Sequence, residues 1–326
     1  MANATYVLIT AAYNEERLIE NTLNSVVSQT LLPQRWIIVS DGSTDRTDDI
    51  VRSYSETYPF IELHRITEQH ARDFGAQVNA INTGYQRLKH LDFNFVANLD
   101  ADISFGPNYY ATLIKRISAD PRLGLVGGSI FEDHGHGFQR RLSNSIHSVA
   151  HAVQLFRREC FDAIGGYIPL KYGGPDWVAE VQVRRLGWRV HSFPDLVVLH
   201  HRPAASAGGF VRGWYRQGLM DYSLGSIPLF EVIKCARRLR EHPLVIGALA
   251  RWTGFCMSAL RRSPRLVDEQ FIDYLRREQR ERLRAIFRLK PLSPAERPAD
   301  ANRTTSVPNA IKTASAPGAM VNTSHP

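Results

Sequence analysis

The chain has 326 residues, 44% of them hydrophobic, enough to bury a sizeable core without the help of disulfides. Its three cysteines, Cys160, Cys235 and Cys256, lie far apart without metal-ligand spacing, which excludes a disulfide framework and fits reduced cytosolic thiols. The net charge is +8, yet residues 234–290 alone carry 15 Lys/Arg against 6 Asp/Glu, so one segment holds the whole excess and points to an anionic partner.

The opening Met-Ala-Asn-Ala-Thr has no basic region followed by an apolar run, so no secretory signal is expected. Tyr6–Thr10 (YVLIT) reads as a buried strand, and Glu16–Gln29 as a helix with Leu18, Leu23, Val26 and Val27 on one face. Trp36–Ser40 (WIIVS) is a second strand, followed by a helix over Thr44–Tyr58 capped by Ser43 or Thr44. Ile61–Arg65 reads as a strand, His70–Lys89 as a helix and Phe93–Leu99 as a strand running into Asp100. Pro107 suits the first turn of a further helix. Strands then recur at Leu123–Phe131, Val190–Phe193 and Val197–His200, after which Gly208–Leu289 is mostly helical. Alternating strands and helices imply an α/β sheet, largely parallel, whose ligands sit at the carboxyl ends of the strands. The apolar run Leu244–Leu260 is short for a spanning helix; it either lies in a membrane interface with Arg251 and Trp252 at headgroup level or packs in a core. The tail beyond Leu292, rich in Pro, Ala, Ser, Thr and Asn, is expected to be disordered.

Chemistry concentrates at strand ends. Asp100-Ala101-Asp102 places two carboxylates at i and i+2 just past an apolar strand, where they can converge on a hard divalent cation that bridges a pyrophosphate. Upstream, Ala11-Ala12-Tyr13-Asn14-Glu15-Glu16 and Asp41-Gly42-Ser43-Thr44-Asp45 follow the first two strands, and an acid there can accept from a base N–H. Neither is a Gly-x-Gly-x-x-Gly turn, and no Gly-Lys-Ser/Thr phosphate loop exists, which argues against hydride transfer and ATP hydrolysis. Helix capping would explain Asn14, Ser43 and Thr44 equally well. Glu132-Asp133-His134-Gly135-His136 reads as a solvated loop open to an acceptor role.

In order along the chain, these segments resemble the family 2 glycosyltransferases. The resemblance rests on Tyr13-Asn14-Glu15, Asp41 to Asp45, Gly75 to Asn79 with Gly84, and Asp100-Ala101-Asp102. It ends with Gly173-Gly174-Pro175-Asp176 leading to Leu186-Gly187-Trp188, and covers roughly residues 4–205. It implies a GT-A fold, a mixed α/β sheet flanked by helices, here with a helical C-terminal extension. It also implies an inverting, Mg²⁺- or Mn²⁺-dependent transfer from a nucleotide-diphosphate sugar, UDP by default, to a saccharide or lipid-linked hydroxyl in polysaccharide or glycolipid assembly. Ala12, Tyr13, Glu15, Asp41, Gly75, Asn79 and Asp100 would hold the nucleotide, and Asp100 and Asp102 the metal, completed by His200 or His201. Asp176 would be the catalytic base. Departures exist: Pro175 stands where the family usually has Glu, Ser40 precedes Asp41 where a second Asp is common, and no Gln-x-x-Arg-Trp follows. Without several spanning helices, the chain is expected to add one sugar per encounter.

The expected layout is a catalytic domain over 1–205, a basic helical extension over 206–292 that contacts an anionic membrane through 234–290, and a tail over 293–326. The extension would rest on the cytoplasmic face of the cell membrane. A nucleotidyltransferase and a non-catalytic sugar-nucleotide-binding module are the alternatives. Nucleic-acid binding is not expected, because the few aromatics in the basic segment, such as Trp252 and Phe255, read as buried or membrane-facing.

Overall fold

Strands inside a parallel sheet are covered on both faces and so read as unbroken apolar runs. Tyr6–Ala12 (β1) and Arg35–Asp41 (β2) are buried along nearly their whole length. The computed structural model describes residues 4–67, 74–133, 135, 137–141, 143–202, 209–239 and 245–287. The remaining strands are Ile61–Ile66 (β3), Phe95–Asn98 (β4), Ile103–Phe105 (β5), Leu123–Asp133 (β6), Phe138–Arg140 (β7), Leu155–Arg157 (β8) and Arg189–His200 (β9). They form one sheet in the order β3-β2-β1-β4-β8-β6-β9-β5, with β7 beside β6. The β3-β2-β1-β4 half is parallel; β8 enters antiparallel between β4 and β6, and β5 pairs antiparallel with β9.

Helices Ile19–Val27 (α1), Thr47–Thr57 (α2), Phe74–Leu88 (α3), Tyr109–Ala119 (α4), Arg158–Ala163 (α5) and Pro175–Arg185 (α6) flank this sheet. Gly84 lets α3 press onto β1 and β2, since a Cβ there would stand 2.7 Å from Ile9 Cγ2. On α1, the Thr22 hydroxyl accepts from the Ile103 N–H at 3.0 Å and donates to its carbonyl at 2.8 Å, fastening the helix to β5.

Several boundaries differ from the sequence expectation. Helix α1 begins at Ile19 rather than Glu16 and α2 at Thr47 rather than Thr44, because the polar groups before them are committed to each other. Asn14 Oδ1 accepts from the Thr44 N–H at 2.8 Å, and neither Ser43 nor Thr44 is the cap of α2: the N-cap position is Arg46, with Asp45 before it accepting from the Thr47 N–H at 3.0 Å. The two late strands are one strand, β9, whose pairing with β6 jumps from Gly128–Phe193 to Ser129–Val197. Pro194, without an N–H, falls inside that irregularity. Residues 70–73 of the expected third helix, Leu244 and the tail over 293–326 lie outside the described residues.

The C-terminal region forms Phe210–Ser223 (α7), Pro228–Arg237 (α8), Ile246–Leu260 (α9) and Glu269–Phe287 (α10). Helices α7 and α9 cross with backbone against backbone: a Cβ on Gly218 would lie 1.9 Å from Arg251 O, and one on Gly254 2.1 Å from Tyr215 O. Leu224, Phe271 and Leu275 pack on Leu170, Val178 and Val181, so α10 and the end of α7 close over α6. All three cysteines are free.

Arg251 overturns one expectation. It is not at a surface but buried, with Nε 2.6 Å from Glu231 Oε1 and its other nitrogens bonded to Asp221 and Gln217. Lys234 completes the cluster, 2.7 Å from Asp221 and 3.0 Å from Glu231. Two acids and two cations thus cancel inside the extension. Helix α9 turns its one charge inward and leaves Ile246, Leu249 and Leu260 exposed. No helix of the described residues is long and apolar enough to cross a membrane. Removing one partner of a buried ion pair strands the others without compensation. Arg251→Met should therefore lower unfolding free energy by about 3–5 kcal/mol, read from the urea midpoint; a loss below about 1 kcal/mol would show that the cluster is not dry.

Candidate functional site

Register brings the site together. Ala12 pairs with Ser40 and Ile9 with Asn98, so the carboxyl ends of β1, β2 and β4 finish at one edge of the sheet. The residues that follow those strands form the walls of a cleft of about 360 Å³, within the range that holds small ligands. Ala12, Tyr13, Glu15, Asp41, Asp100 and Asp102 all line it. The first two turns are tied to each other: Asn14, in the left-handed region at φ 52°, bonds Thr44; the Glu15 N–H donates to Thr47 Oγ1 at 2.7 Å; and the Glu16 N–H donates to Asp45 at 3.1 Å.

From α3 the cleft receives Ala76, Gln77 and Ala80. The expected Gly75 and Asn79 are on the same helix, Gly75 buried and Asn79 exposed, and are not among the lining residues. The helical phase differs by one position from the motif reading. Gln77 Nε2 donates to Asp100 Oδ1 at 3.0 Å.

Strand β9 runs back beside β5, pairing His200 with Ile103, and so delivers His200 to Asp102. The two are 3.1 Å apart, and one ligand atom each from Asp100, Asp102 and His200 lies within 4.8 Å of the others. This oxygen-oxygen-nitrogen set suits a hard to borderline divalent ion. His200 Nδ1 is buried without a hydrogen-bond partner among the described residues, facing Glu132 at 3.8 Å. Burial alone would lower the imidazole's pKa, but Asp102 and Glu132, with Asp100 behind them, outweigh it and raise it to about 9. His201 is apart from this group. Successive residues of a strand point to opposite faces, and its Nε2 meets Ser104 Oγ at 2.8 Å while its ring edge packs on Phe138.

Arg202, just past β9, bonds Glu15 at 2.5 Å and lies 3.7 Å from Asp102. Burial pushes the Glu15 carboxyl up against the pull of that guanidinium, with Asp102 and Asp100 pushing the same way. On the other side of the pair of acids, His151 Nδ1 is 3.4 Å from Asp100 Oδ1. Burial works against the His151 cation, yet Asp100 more than offsets it, so His151 is raised and Asp100 lowered.

Asp176 occupies the first turn of α6, behind Gly174 at φ 83°. Its charge acts on His151 and on Tyr167, two groups that also feel Asp100. Trp177 turns away from that side and meets Phe271 edge-on. One turn on, buried Glu180 accepts from the Val149 N–H at 2.7 Å and Ser148 Oγ at 2.8 Å, fixing the segment that leads to His151. Burial pushes its carboxyl up to about 7.

Sequence reasoning missed Gln77, Glu132, His151 and Glu180. His151 and Gln77 carry no local motif. Glu132 was read as part of a solvated loop, whereas it is the penultimate residue of β6, buried behind His200 with Arg141 at 3.4 Å. His134 and His136 of that segment lie outside the described residues.

Comparison with known proteins agrees with this geometry. The family model described as glycosyl transferase family 2 matches residues 7–173, just over half of the chain. Asp176 lies three positions past the matched segment. The chain is 30% identical over 119 residues to a poly-beta-1,6-N-acetyl-D-glucosamine synthase of Staphylococcus aureus, covering 36% of this chain and 27% of the relative. A Staphylococcus epidermidis synthase of the same name is 29% identical over 123 residues. The match therefore spans about a quarter of the length of these relatives. Among solved structures, Staphylococcus aureus TarS 1–349 in complex with UDP-GlcNAc aligns with TM-score 0.53 at 16% identity, covering 86% of this chain and 92% of that one. A mannosyltransferase from Pyrobaculum calidifontis in complex with GDP-Man and Mn²⁺ aligns with TM-score 0.51 at 19% identity, covering 86% and 80%. At those identities the likeness is one of fold, the GT-A arrangement.

A histidine binds a cation only after losing its proton, and His200 holds its proton up to about pH 9. Mn²⁺ affinity should therefore rise about tenfold per pH unit below 9 and level off above it. Titration calorimetry at pH 7.5 in buffers of different ionisation enthalpy should show about one proton released per ion; pH-independent affinity without proton release would remove His200 from the ligand set.

Proposed function

This chain belongs to glycosyl transferase family 2, and we propose that it moves a hexosyl group, with inversion, from a nucleotide-diphosphate sugar to an acceptor hydroxyl. The observation that carries the reading is the convergence of Asp100, Asp102 and His200 at the edge of a cleft lined by Glu15 and Asp41. UDP is the proposed nucleotide, supported by the UDP-GlcNAc held by one structural neighbour. The Mn²⁺ of another supports a divalent ion, Mg²⁺ or Mn²⁺, held here by Asp100, Asp102 and His200. When bound, that ion offsets the negative charge of the diphosphate leaving group.

The chain's own residues account for the rest. Asp41 and Glu15 accept hydrogen bonds from the base and ribose, and Ala12 and Tyr13 form the cleft wall beside them. Arg202, between Glu15 and Asp102, can turn to the pyrophosphate. Asp176 takes the proton of the acceptor hydroxyl as its oxygen attacks the anomeric carbon. The bond from that carbon to the diphosphate oxygen breaks on the opposite side, which inverts the centre and releases the nucleoside diphosphate. His151 contacts Asp100 and feels the charge of Asp176.

Residues 1–205 are the proposed catalytic unit and 206–292 the helical extension. The synthases that match the chain support a role in polysaccharide or glycolipid assembly, with a saccharide or lipid-linked acceptor at the cytoplasmic membrane face.

Calorimetric titration with UDP, GDP and dTDP, each with Mn²⁺ and with EDTA, tests the donor half. Metal-dependent binding of one nucleotide is expected, weakened at least tenfold in Asp102→Ala; absence of binding to all three by folded protein would leave a degenerate binding module. Asp176→Asn should retain that affinity while turnover falls by about three orders of magnitude. Near-normal turnover would put the base elsewhere.

A further inference from the structure

The penultimate residue of β6 is an acid placed beside the candidate metal centre. Glu132 is the register partner of His200 in the parallel pairing of β6 with β9, and of Gln139 in the antiparallel pairing with β7, so its backbone is locked between two strands. Paired residues of adjacent strands turn their side chains to the same face of a sheet. Glu132 and His200 accordingly face one another, both buried, with Glu132 Oε1 3.8 Å from His200 Nδ1. Alternation turns the next side chains away, where His201 feels Asp133 instead.

The two ring nitrogens of His200 have different neighbours. Nε2 lies 3.1 Å from Asp102 Oδ1 and is the nitrogen offered to the centre. Nδ1, on the far side of the ring, is buried without a hydrogen-bond partner among the described residues, and Glu132 is the acid it faces. Arg141 steadies that acid: its own N–H donates to Ile130 O at 3.0 Å, and its guanidinium lies 3.4 Å from the Glu132 carboxylate. A neutral imidazole carries its proton on one nitrogen and binds a metal through the other, so whatever holds the proton decides which nitrogen is free.

We propose that Glu132 is a positioning residue of the metal centre, accepting the Nδ1 proton of His200 and so committing Nε2 to the ion. The inference rests on the metal reading given above and adds a residue to it. A carboxylate behind a ligating histidine fixes the tautomer and the ring orientation and makes the ligating nitrogen more basic. A role limited to balancing the charge of Arg141 would leave the choice of nitrogen untouched, and the two roles differ in the ion they favour. Mg²⁺ prefers oxygen ligands and keeps its waters, whereas a first-row transition ion such as Mn²⁺ gains more from an imidazole. With its imidazole held by Glu132, the site prefers Mn²⁺ over Mg²⁺ more strongly than Asp100 and Asp102 would alone.

Competition between MnCl₂ and MgCl₂ for the full chain, followed by the electron paramagnetic resonance of free Mn²⁺ with and without UDP, reads that preference. A change of net charge or a loosened fold weakens both ions together and cancels in the ratio. Glu132→Leu should lower the ratio of Mn²⁺ to Mg²⁺ affinity about tenfold, to the value of His200→Ala. Glu132→Gln, whose amide oxygen still accepts the Nδ1 proton, should keep the wild-type ratio. A wild-type ratio in Glu132→Leu, or a ratio in Glu132→Gln as low as in His200→Ala, would overturn the assignment. A second measurement needs no change at Glu132: ¹⁵N spectra of histidine-labelled protein loaded with Zn²⁺, a diamagnetic ion that takes imidazole, with the His200 signals identified by their loss in His200→Ala. Nδ1 should carry the proton; a proton on Nε2 would equally overturn the assignment. Failure of the folded wild type to bind either ion would remove the metal reading and this assignment with it, whereas tight binding with one ratio across all Glu132 variants sinks the assignment alone.

Discussion

The pairing of Ile103 with His200 holds the functional edge of the molecule together. Asp100 and Asp102 lie on the turn between β4 and β5, which would by itself present two carboxylates to solvent. Because β9 returns antiparallel along β5, it ends beside that turn and supplies an imidazole to the pair and a guanidinium to Glu15. Everything downstream inherits this position: the chain leaves the sheet after His200, and of the helices that follow, α10 and the end of α7 close over α6.

Two charge clusters in the protein solve the same problem differently. Around the cleft, Glu15, Asp100, Asp102 and Glu132 are crowded at a strand edge and held by His151, His200, Arg141 and Arg202. Of these counter-charges Arg202 lines the cleft and is half exposed, so it can move, whereas His200 is buried beside Asp102. In the extension, Asp221 and Glu231 are enclosed with Arg251 and Lys234. One arrangement is available for binding. The other fixes how three helices fit.

Much of this was legible in the sequence, for identifiable reasons. Parallel strands announce themselves as apolar runs, and the acids that follow them had to gather at one edge once the strands were parallel; Glu15, Asp41, Asp100 and Asp102 were found that way. Alternation along a strand could also have told His200 from His201, since neighbours in β9 face opposite sides. What stayed hidden depended on partners distant in the chain. Arg251 meets Asp221 30 residues away and Glu231 20 residues away, and no local pattern says whether an arginine in an apolar helix faces lipid or buried acid. The start of α2 was misplaced because the Thr44 N–H belongs to Asn14, in the turn after β1. The phase of α3 follows from its seat on β1 and β2, so Gln77 rather than Asn79 reached the cleft. His151 stands alone in its segment, and only its approach to Asp100 gives it meaning.

The bonds between the first two turns have a bearing on how the chain finds its structure. Asn14 to Thr44, Glu15 to Thr47 and Glu16 to Asp45 join segments about thirty residues apart, and all require Ala12 to stand opposite Ser40. A slip of one residue would reverse which face each β2 side chain meets and would break all three bonds together. Apolar runs such as YVLIT and WIIVS discriminate poorly between neighbouring registers, since all but the last position in each is apolar. The polar turns therefore act as the proofreading step of the sheet: a misaligned pair of strands is unstable because its site cannot form.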